Sequence, residues 1–213
     1  PHHYISRRQR QMCIRDRINT HDIDCEIINH DKSEHKEKIA AENNQETFGN
    51  LSSLLKCFEV AKKDKSDLIY FVEDDYLHYE HSLVDMLNTY ERVSSQHKDE
   101  IIVCPSDYPF NYMNNEKTNI LIGSQQHWRT ITKMLCTFMI SKKTFQNHIE
   151  NFDKTCEKRH EPFEKYLNKI LESEIGISPI KSLAIHMTNV NSSYGLSPFI
   201  DLKELWEENK IDQ

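Results

Sequence analysis

Apolar positions along the chain follow two periodicities, one typical of buried strands and the other of amphipathic helices. Continuous apolar runs at 67–72 and 101–104 predict strands that are buried on both faces of a sheet. Apolar residues at helical spacing predict helices over 49–63 and 80–95, with Asn50 as the N-cap of the first. The inner side of the second helix is predicted to hold Leu83, Val84, Met86, Leu87, Tyr90 and Val93.

The remaining apolar segments are shorter and also alternate between the two types. Strands are predicted at 25–30, 119–123, 133–140 and 182–187, and helices at 142–152, 162–172 and 201–209. The polar stretches 106–117 and 125–129 predict a long loop and a hairpin turn. Strands that alternate with helices predict an α/β domain with helices on both faces, and the close strands around 119–140 indicate a mixed sheet.

The beginning of the chain differs in composition from the rest. Residues 7–17, Arg-Arg-Gln-Arg-Gln-Met-Cys-Ile-Arg-Asp-Arg, have no apolar periodicity and resemble the translation of a sequencing adapter. We expect residues 1–17 to be non-native and residues 18–213 to form one domain that lacks its natural start and its first strand. The alternative is a natural basic arm that binds an acidic partner.

Composition narrows the classes of function. The formal net charge of −7 argues against general nucleic-acid binding, because such a chain would repel the phosphate backbone. No apolar run approaches the roughly 20 residues that cross a bilayer, and no signal peptide is recognisable, so a cytoplasmic protein is expected. The six cysteines form no Cys-x-x-Cys pair, and we expect free thiols in a reducing compartment.

The strongest chemical signal is the acidic triplet Glu73-Asp74-Asp75, which directly follows the apolar run 68–72. In an open α/β sheet, ligands bind outside the carboxyl ends of the strands. Three adjacent carboxylates repel one another and need a counter-charge, which Mg²⁺ or Mn²⁺ would supply. Alternation along an extended chain would put Glu73 and Asp75 on one side as metal ligands, with Asp74 opposite. The alternative is an acidic strand end that caps a helix or faces water.

The segment Leu-Ile-Tyr-Phe-Val-Glu-Asp-Asp-Tyr at 68–76 resembles the Asp-x-Asp segment of GT-A glycosyltransferases, in an acidic Glu-Asp-Asp variant. The helix that begins with Gly-Asn-Leu-Ser-Ser at 49–53 is similar to the helix that borders the donor site in that family. The resemblance implies a GT-A-like mixed, mainly parallel sheet and a nucleotide-sugar donor bound with Mn²⁺ or Mg²⁺. It also implies substrate contacts at Asn50 and Asp74 and a further metal ligand at His186. The alternative for His186 is an ordinary packed or surface histidine.

A second polar region is predicted to border the acceptor, which would be a glycan or another small hydroxyl compound. Arg129 can clamp a phosphate or a carboxylate with two parallel hydrogen bonds, and Trp128 offers a flat face to a sugar ring. The aromatic-rich loop that contains Asp107 is predicted as a wall of this acceptor site. The alternatives are a hairpin turn with a half-buried tryptophan and a packed lid without a ligand.

Inverting GT-A enzymes resemble one another in placing an acidic base at the start of a helix after the acceptor region. Glu161, which precedes Pro162 at a predicted helix start, is the candidate base, although helix dipoles also stabilise acidic residues at such positions. The sequence therefore predicts a metal-dependent glycosyltransferase. The rival interpretations are a sugar nucleotidyltransferase and a non-catalytic domain that binds a glycan or a partner protein.

Overall fold

A six-stranded sheet runs through the molecule, with a small two-stranded sheet beside it. The computed structural model describes residues 26, 28–39, 42, 44–113 and 115–210; the segment 1–17 and part of the predicted strand at 25–30 lie outside them. The strands are β1 Leu68–Phe71, β2 Tyr76–His78, β3 Ile101–Val103, β4 Ile120–Ile122, β5 His127–Ile131, β6 Phe138–Ser141, β7 Ile175–Pro179 and β8 Ala184–His186. The large sheet has the order β1-β6-β3-β7-β5-β4, and β2 pairs with β8.

The large sheet is mixed and mostly antiparallel. Only β3 and β7 run parallel, with Val103 opposite Ile177; the pairs β1–β6, β3–β6, β5–β7 and β4–β5 are antiparallel. The described chain is therefore mixed α/β, and the predicted mainly parallel sheet is not confirmed. A strand that is buried on both faces shows the same continuous apolar run in either type of pairing, so the sequence pattern does not reveal strand direction.

Three strands, β2, β5 and β7, are not predicted by the sequence pattern. β7 lies between β3 and β5, but Gly176, Ser178 and Pro179 interrupt its apolar run. A Cβ atom at Gly176 would lie 2.5 Å from Leu171 Cδ2, so a larger residue there would have to displace the Leu171 side chain. The stretch 125–129, predicted as a turn, is a turn only at its beginning, because β5 already starts at His127.

The helices are α1 Gln45–Lys63, α2 Ser82–His97, α3 Lys142–Asn147, α4 Ile149–Glu157, α5 Lys165–Ile170 and α6 Leu202–Glu208. α1 begins one turn earlier than predicted, because Asn44 Oδ1 accepts hydrogen bonds from the Glu46 and Thr47 amides at 2.9 and 3.1 Å. Asn50 therefore lies inside α1 and is not its N-cap. Short 3-10 helices span Lys32–His35, Pro109–Tyr112 and Met187–Asn189. Within the described residues, no helix combines the length and the apolar character that crossing a membrane requires.

Helices pack on both faces of the large sheet. One core cluster joins α1, α4 and α5 to the sheet and includes Leu55, Phe58, Ile102, Phe138 and Phe152. The other joins α2 to the sheet and includes Met86, Val93, Ile101, Val103 and Met139. Successive residues of β3 and β6 thus face opposite clusters, as the pleat of a strand requires. This two-sided burial explains the continuous apolar runs in the sequence.

The face that α2 presents to the core is only partly the predicted one: Met86 and Val93 are buried, and Tyr90 is partly buried against the core. Leu83, Val84 and Leu87 are 49%, 60% and 36% exposed, and the polar residues Asp85 and Thr89 are buried instead. The turn between β4 and β5 lies against this face, where Thr89 Oγ1 accepts from the Ser124 amide and Asp85 accepts from the Gln125 amide. These hydrogen bonds from the turn give the buried Asp85 and Thr89 their polar partners and so favour the observed orientation of the helix.

The small sheet joins two distant parts of the chain. In the antiparallel β2–β8 pair, Tyr76 lies opposite His186 and His78 lies opposite Ala184. β2 begins directly after the acidic triplet, so this pairing brings the end of β8 to the carboxyl end of β1. The fold itself therefore places a histidine beside the acidic segment.

Candidate functional site

The acidic triplet forms a turn between β1 and β2. The Tyr76 amide donates to the Glu73 carbonyl oxygen at 3.4 Å. Glu73 and Asp75 are half-buried on the inner side of this turn, whereas Asp74 is exposed. The alternation is the one predicted, although it arises from a turn and not from an extended strand. Two of the three carboxylates are thereby directed toward the protein.

Asp75 is held by the segment that follows β8. Its Oδ2 atom lies 2.9 Å from His186 Nε2 and also accepts a hydrogen bond from the Thr188 hydroxyl. The Met187 amide donates to the Asp75 carbonyl oxygen at 2.8 Å, and the His186 ring stacks on Tyr76 with ring centroids 4.9 Å apart. Asp75 and His186, which are far apart in the sequence, therefore form one unit.

The protonation states of this pair follow from its surroundings. Burial opposes ionisation of Asp75, but hydrogen bonds from His186 and Thr188 outweigh it and lower the pKa of the carboxyl group. Burial likewise opposes protonation of His186, but the contact with Asp75 and the nearby charges of Glu73 and Glu164 raise its pKa. The surroundings of the pair thus favour an ionised Asp75 and a protonated His186.

Glu73 has less compensation. Burial and the negative charge of Asp75 raise its pKa to about 7, with a further contribution from Glu164, and His186 offsets only part of this. The Thr137 hydroxyl donates a long hydrogen bond of 3.4 Å to the Glu73 carboxyl group. The Glu73 amide in turn donates to Thr137 Oγ1 at 3.1 Å. Three carboxylates thus share one histidine as counter-charge. We refer to Glu73, Asp75, Glu164 and His186 as the acidic cluster.

The sequence interpretation missed Glu164, which directly precedes α5. Burial raises the pKa of Glu164, and the charge of nearby His186 partly offsets this rise. The predicted base, Glu161, lies three residues earlier on the exposed side of the same turn. Both acidic residues flank Pro162-Phe163, so the sequence offered both, and only burial distinguishes them.

The acidic cluster fits a divalent cation in charge and in ligand type. Mg²⁺ and Mn²⁺ take oxygen ligands, and Glu73 and Asp75 supply carboxylates whose repulsion a cation would relieve. Among the described residues, however, no three acidic, His or Cys side chains are arranged as ligands to one point. His186 uses Nε2 for Asp75, and its buried Nδ1 has no hydrogen-bond partner in the described chain. The predicted role of His186 as a ligand would thus require its Nε2 atom to leave Asp75.

The predicted acceptor residues Asp107 and Arg129 also come together. An Arg129 terminal nitrogen lies 3.4 Å from Asp107 Oδ1 and donates to the Tyr112 hydroxyl, which in turn donates to Asp107. The guanidinium carbon lies 4.1 Å from the centre of the Tyr112 ring. Burial raises the pKa of Asp107 to about 6, although Tyr112 and Arg129 act in the opposite direction.

Two predicted substrate contacts do not fit their places in the fold. Trp128 is 0% exposed and packs in the core with Met139 and Ile177, so its face is not open to a sugar. A Cβ atom at Gly123 would lie 2.2 Å from the Trp128 ring, which shows how closely the hairpin covers it. Asn50 lies on the exposed side of α1, and the structure does not place it beside the acidic cluster.

A cleft of about 450 Å³ lies near the beginning of β3, at the other end of the strands from the acidic cluster. Its lining includes Glu91, Ser94, Lys98 and Asp99 from the end of α2 and the turn after it, together with Lys143. This cleft is the larger one in volume, but it contains none of the acidic cluster. The acidic cluster is nevertheless the stronger candidate for a functional site, because it contains a carboxyl group whose pKa is raised by burial and by neighbouring negative charge.

A comparison with protein-family models and with curated protein sequences finds no match for this chain. The geometry of the acidic cluster and the resemblance of the segment 68–76 therefore carry the functional argument.

Proposed function

We propose that this protein is a metal-dependent glycosyltransferase that moves a sugar from a nucleotide-sugar donor to a hydroxyl group of a glycan or small acceptor. One observation carries the proposal. Three partly buried carboxylates lie at the carboxyl end of β1 with one histidine as their counter-charge. A divalent cation would relieve the repulsion among these carboxylates, which supports a metal site here.

Asp75 and Glu73 would hold Mn²⁺ or Mg²⁺ in this function. Bound there, the metal would supply positive charge that offsets the charge of the leaving nucleoside diphosphate. His186 and Thr188 keep Asp75 Oδ2 in place, so the other carboxylate oxygen, Oδ1, is the one directed to a metal. His186 therefore acts as a positioning residue.

Glu164 is the better candidate for the base, in place of Glu161. A carboxylate with a raised pKa accepts a proton more readily near neutral pH, which suits deprotonation of an acceptor hydroxyl. Exposed Glu161 lacks the burial that would tune it for this role. We also propose that the domain is GT-A-like. The support for this is the acidic segment at 68–76, which resembles the Asp-x-Asp segment of that family.

Calorimetric titration with UDP, GDP and CMP, each with and without Mn²⁺, tests the proposal. Wild type should bind one of these nucleotides only when Mn²⁺ is present, and Asp75→Asn should lose that binding. Asp99→Asn is a matched control, because Asp99 is exposed and lines the cleft that contains none of the acidic cluster. If no nucleotide binds to the folded wild type with metal, the enzymatic proposal fails and a non-catalytic binding domain takes its place.

The products of a turnover assay separate the two enzyme classes. A transferase releases nucleoside diphosphate from a nucleotide-sugar, whereas a sugar nucleotidyltransferase releases pyrophosphate from a nucleoside triphosphate. Release of pyrophosphate by wild type, without release of nucleoside diphosphate from any donor, would contradict the proposal.

A further inference from the structure

A second polar site lies in a narrow cleft between the loop after β3 and strand β5. Asn111, Glu116, Lys117 and Thr118 of the loop line the cleft, with Arg129 and Thr130 of β5 opposite. Arg129 is only 8% exposed, so its guanidinium is nine-tenths buried at the base of this cleft. A buried cation of this kind requires a full set of partners.

The partners of Arg129 are incomplete. Its terminal nitrogen donates to the Tyr112 hydroxyl and lies 3.4 Å from Asp107 Oδ1, which is itself a buried atom without a hydrogen-bond partner among the described residues. The Arg129 Nε atom is also buried and has no hydrogen-bond partner among the described residues. Asn111 Nδ2 is in the same condition. Both atoms are N–H donors, and a buried donor without an acceptor costs about 1–3 kcal/mol. Two unsatisfied donors line one cleft.

The other polar groups of the cleft are largely occupied. The Thr118 hydroxyl donates to the Thr130 carbonyl oxygen at 2.7 Å. Glu116 accepts from the Thr132 hydroxyl and pairs with Lys133 at 3.3 Å. The carboxylate of Asp107 lies 3.4 Å from Arg129 and offsets its charge. Lys117 adds a positive charge for which the described chain shows no ion-pair partner. The cleft therefore offers donors and a positive charge, and its complement is an acceptor that carries negative charge.

The cleft and the acidic cluster lie at the same end of the strands, on strands that are four positions apart in the order of the sheet. Arg129 pairs with Ser178, one residue beyond Ile177, which lies opposite Val103 at the carboxyl end of β3. β1 ends at the same level, since Tyr70 and Val103 both lie opposite Met139 of β6. At about 4.8 Å per strand, the four spacings from β1 to β5 amount to about 19 Å, so only a substrate of about that length contacts both sites.

We propose that the Arg129–Asn111 cleft binds one oxygen of an oxyanion, a carboxylate or a phosphate, on the substrate of this protein. The volume of the cleft is about 30 Å³, which is about the volume of one water molecule in the liquid. This volume suits one oxygen atom. The inference rests on the proposed function in one respect. The oxyanion belongs either to the diphosphate of the donor or to the carboxylate of an acidic sugar acceptor.

The Nε–H signal of Arg129 in a ¹⁵N-resolved NMR spectrum reports directly on this cleft. The signal is followed in EDTA during separate titrations with glucuronate, UDP and neutral glucose. We expect a saturable shift with glucuronate or with UDP and none with glucose. A response to UDP alone assigns the cleft to the donor diphosphate, and a response to glucuronate alone assigns it to an acidic acceptor.

Asn111→Asp is the decisive variant, because it replaces the amide donor by an isosteric carboxylate and leaves the Arg129–Asp107 pair in place. Affinity for the anion should fall about tenfold or more, as expected for loss of one charge-assisted hydrogen bond. Asn119→Asp introduces the same charge at an exposed position just outside the cleft and should weaken binding far less. Thermal unfolding of both variants checks that they remain folded.

Three outcomes would overturn the inference: no shift with either anion, an equal shift with glucose, or equal binding by Asn111→Asp. The first would mean that the donors bind only an ordered water. Because the measurement uses no metal, it does not depend on the acidic cluster. Loss of Mn²⁺-dependent nucleotide binding with an intact Arg129 response would contradict the proposed function alone.

Discussion

Two buried acidic sites of this molecule differ in how their charges are met. Asp85 of α2 is 1% exposed and accepts from the Gln125 amide and the Gln126 side chain, both at 3.2 Å, and from Thr89 at 3.3 Å. Glu73 of the acidic cluster has one weak side-chain hydrogen bond and faces the charges of Asp75 and Glu164. Donors surround the first carboxylate, and other carboxylates surround the second.

The difference separates a structural role from a functional one. Both oxygens of Asp85 are used to hold the β4–β5 turn on α2, so a ligand has no free atom to contact there. The acidic cluster keeps charge that the fold does not neutralise, which lowers stability unless binding or catalysis makes use of it.

Removal of Asp85 should have the largest effect on stability. Asp85→Ala leaves the Gln125 amide and the Gln126 side chain without an acceptor, and we expect the free energy of unfolding to fall by about 3 kcal/mol. Urea unfolding measures this change. Glu91→Ala, an exposed position on the same helix, should change stability by less than about 0.5 kcal/mol. A loss below about 1 kcal/mol at Asp85 would break the comparison.

Glu164→Gln should lower the turnover rate by about 100-fold, since general bases contribute factors of this order. The variant keeps the shape of the side chain but cannot accept the acceptor proton. Glu161→Gln, three residues away and exposed, is the control and should retain most of the activity. Release of nucleoside diphosphate from the active donor is the measurement. Equal losses in both variants would remove the distinction between the buried and the exposed glutamate.

Glu73→Gln should stabilise the protein in EDTA. The pKa of Glu73 is raised from its usual 4.5 to about 7, so the native state binds more protons than the unfolded state between these pH values. Stability of wild type therefore decreases as pH rises through this window, and the penalty persists above it. The glutamine variant should be more stable by roughly 1 to 3 kcal/mol at pH 8, with the gain disappearing toward pH 4.

Urea unfolding of wild type and Glu73→Gln across this pH range provides the test. A variant that is less stable than wild type at pH 8 would show that Glu73 is satisfied in the fold, as Asp85 is. The same variant should lose Mn²⁺-dependent nucleotide binding, so stability and function should change in opposite directions.

The sequence predicts much of the fold, but it does not predict how the elements pair. The continuous apolar runs identify β1 and β3, because both faces of these strands are covered by helices. β7 is missed, since its glycine and proline interrupt the apolar run although it lies inside the sheet. The predicted inner face of α2 is only partly right. Met86 and Val93 are buried, but Asp85 and Thr89 are buried in place of the predicted leucines because a turn that lies far away in the sequence needs them.

The candidate site is predictable to a similar extent. The acidic triplet is visible in the sequence, and the resemblance also points to His186, which the structure places 2.9 Å from Asp75. The sequence does not distinguish Glu164 from Glu161 as the base, because the difference between them is burial. It also does not show that Trp128 is fully buried in the core and therefore closed to a sugar ring. Burial is a property of the whole fold, so local sequence patterns carry little information about it.

Direct binding of Mn²⁺ is the measurement that tests the central claim most directly. The electron paramagnetic resonance signal of free Mn²⁺ disappears as the ion binds, and it can be followed with wild type, Asp75→Asn and Asp74→Asn in the presence of UDP, GDP or CMP. The account predicts Mn²⁺ binding by wild type and by Asp74→Asn, whose missing carboxylate is exposed, and loss of binding in Asp75→Asn. Equal binding by all three proteins, or none by wild type, would contradict a cation site in the acidic cluster.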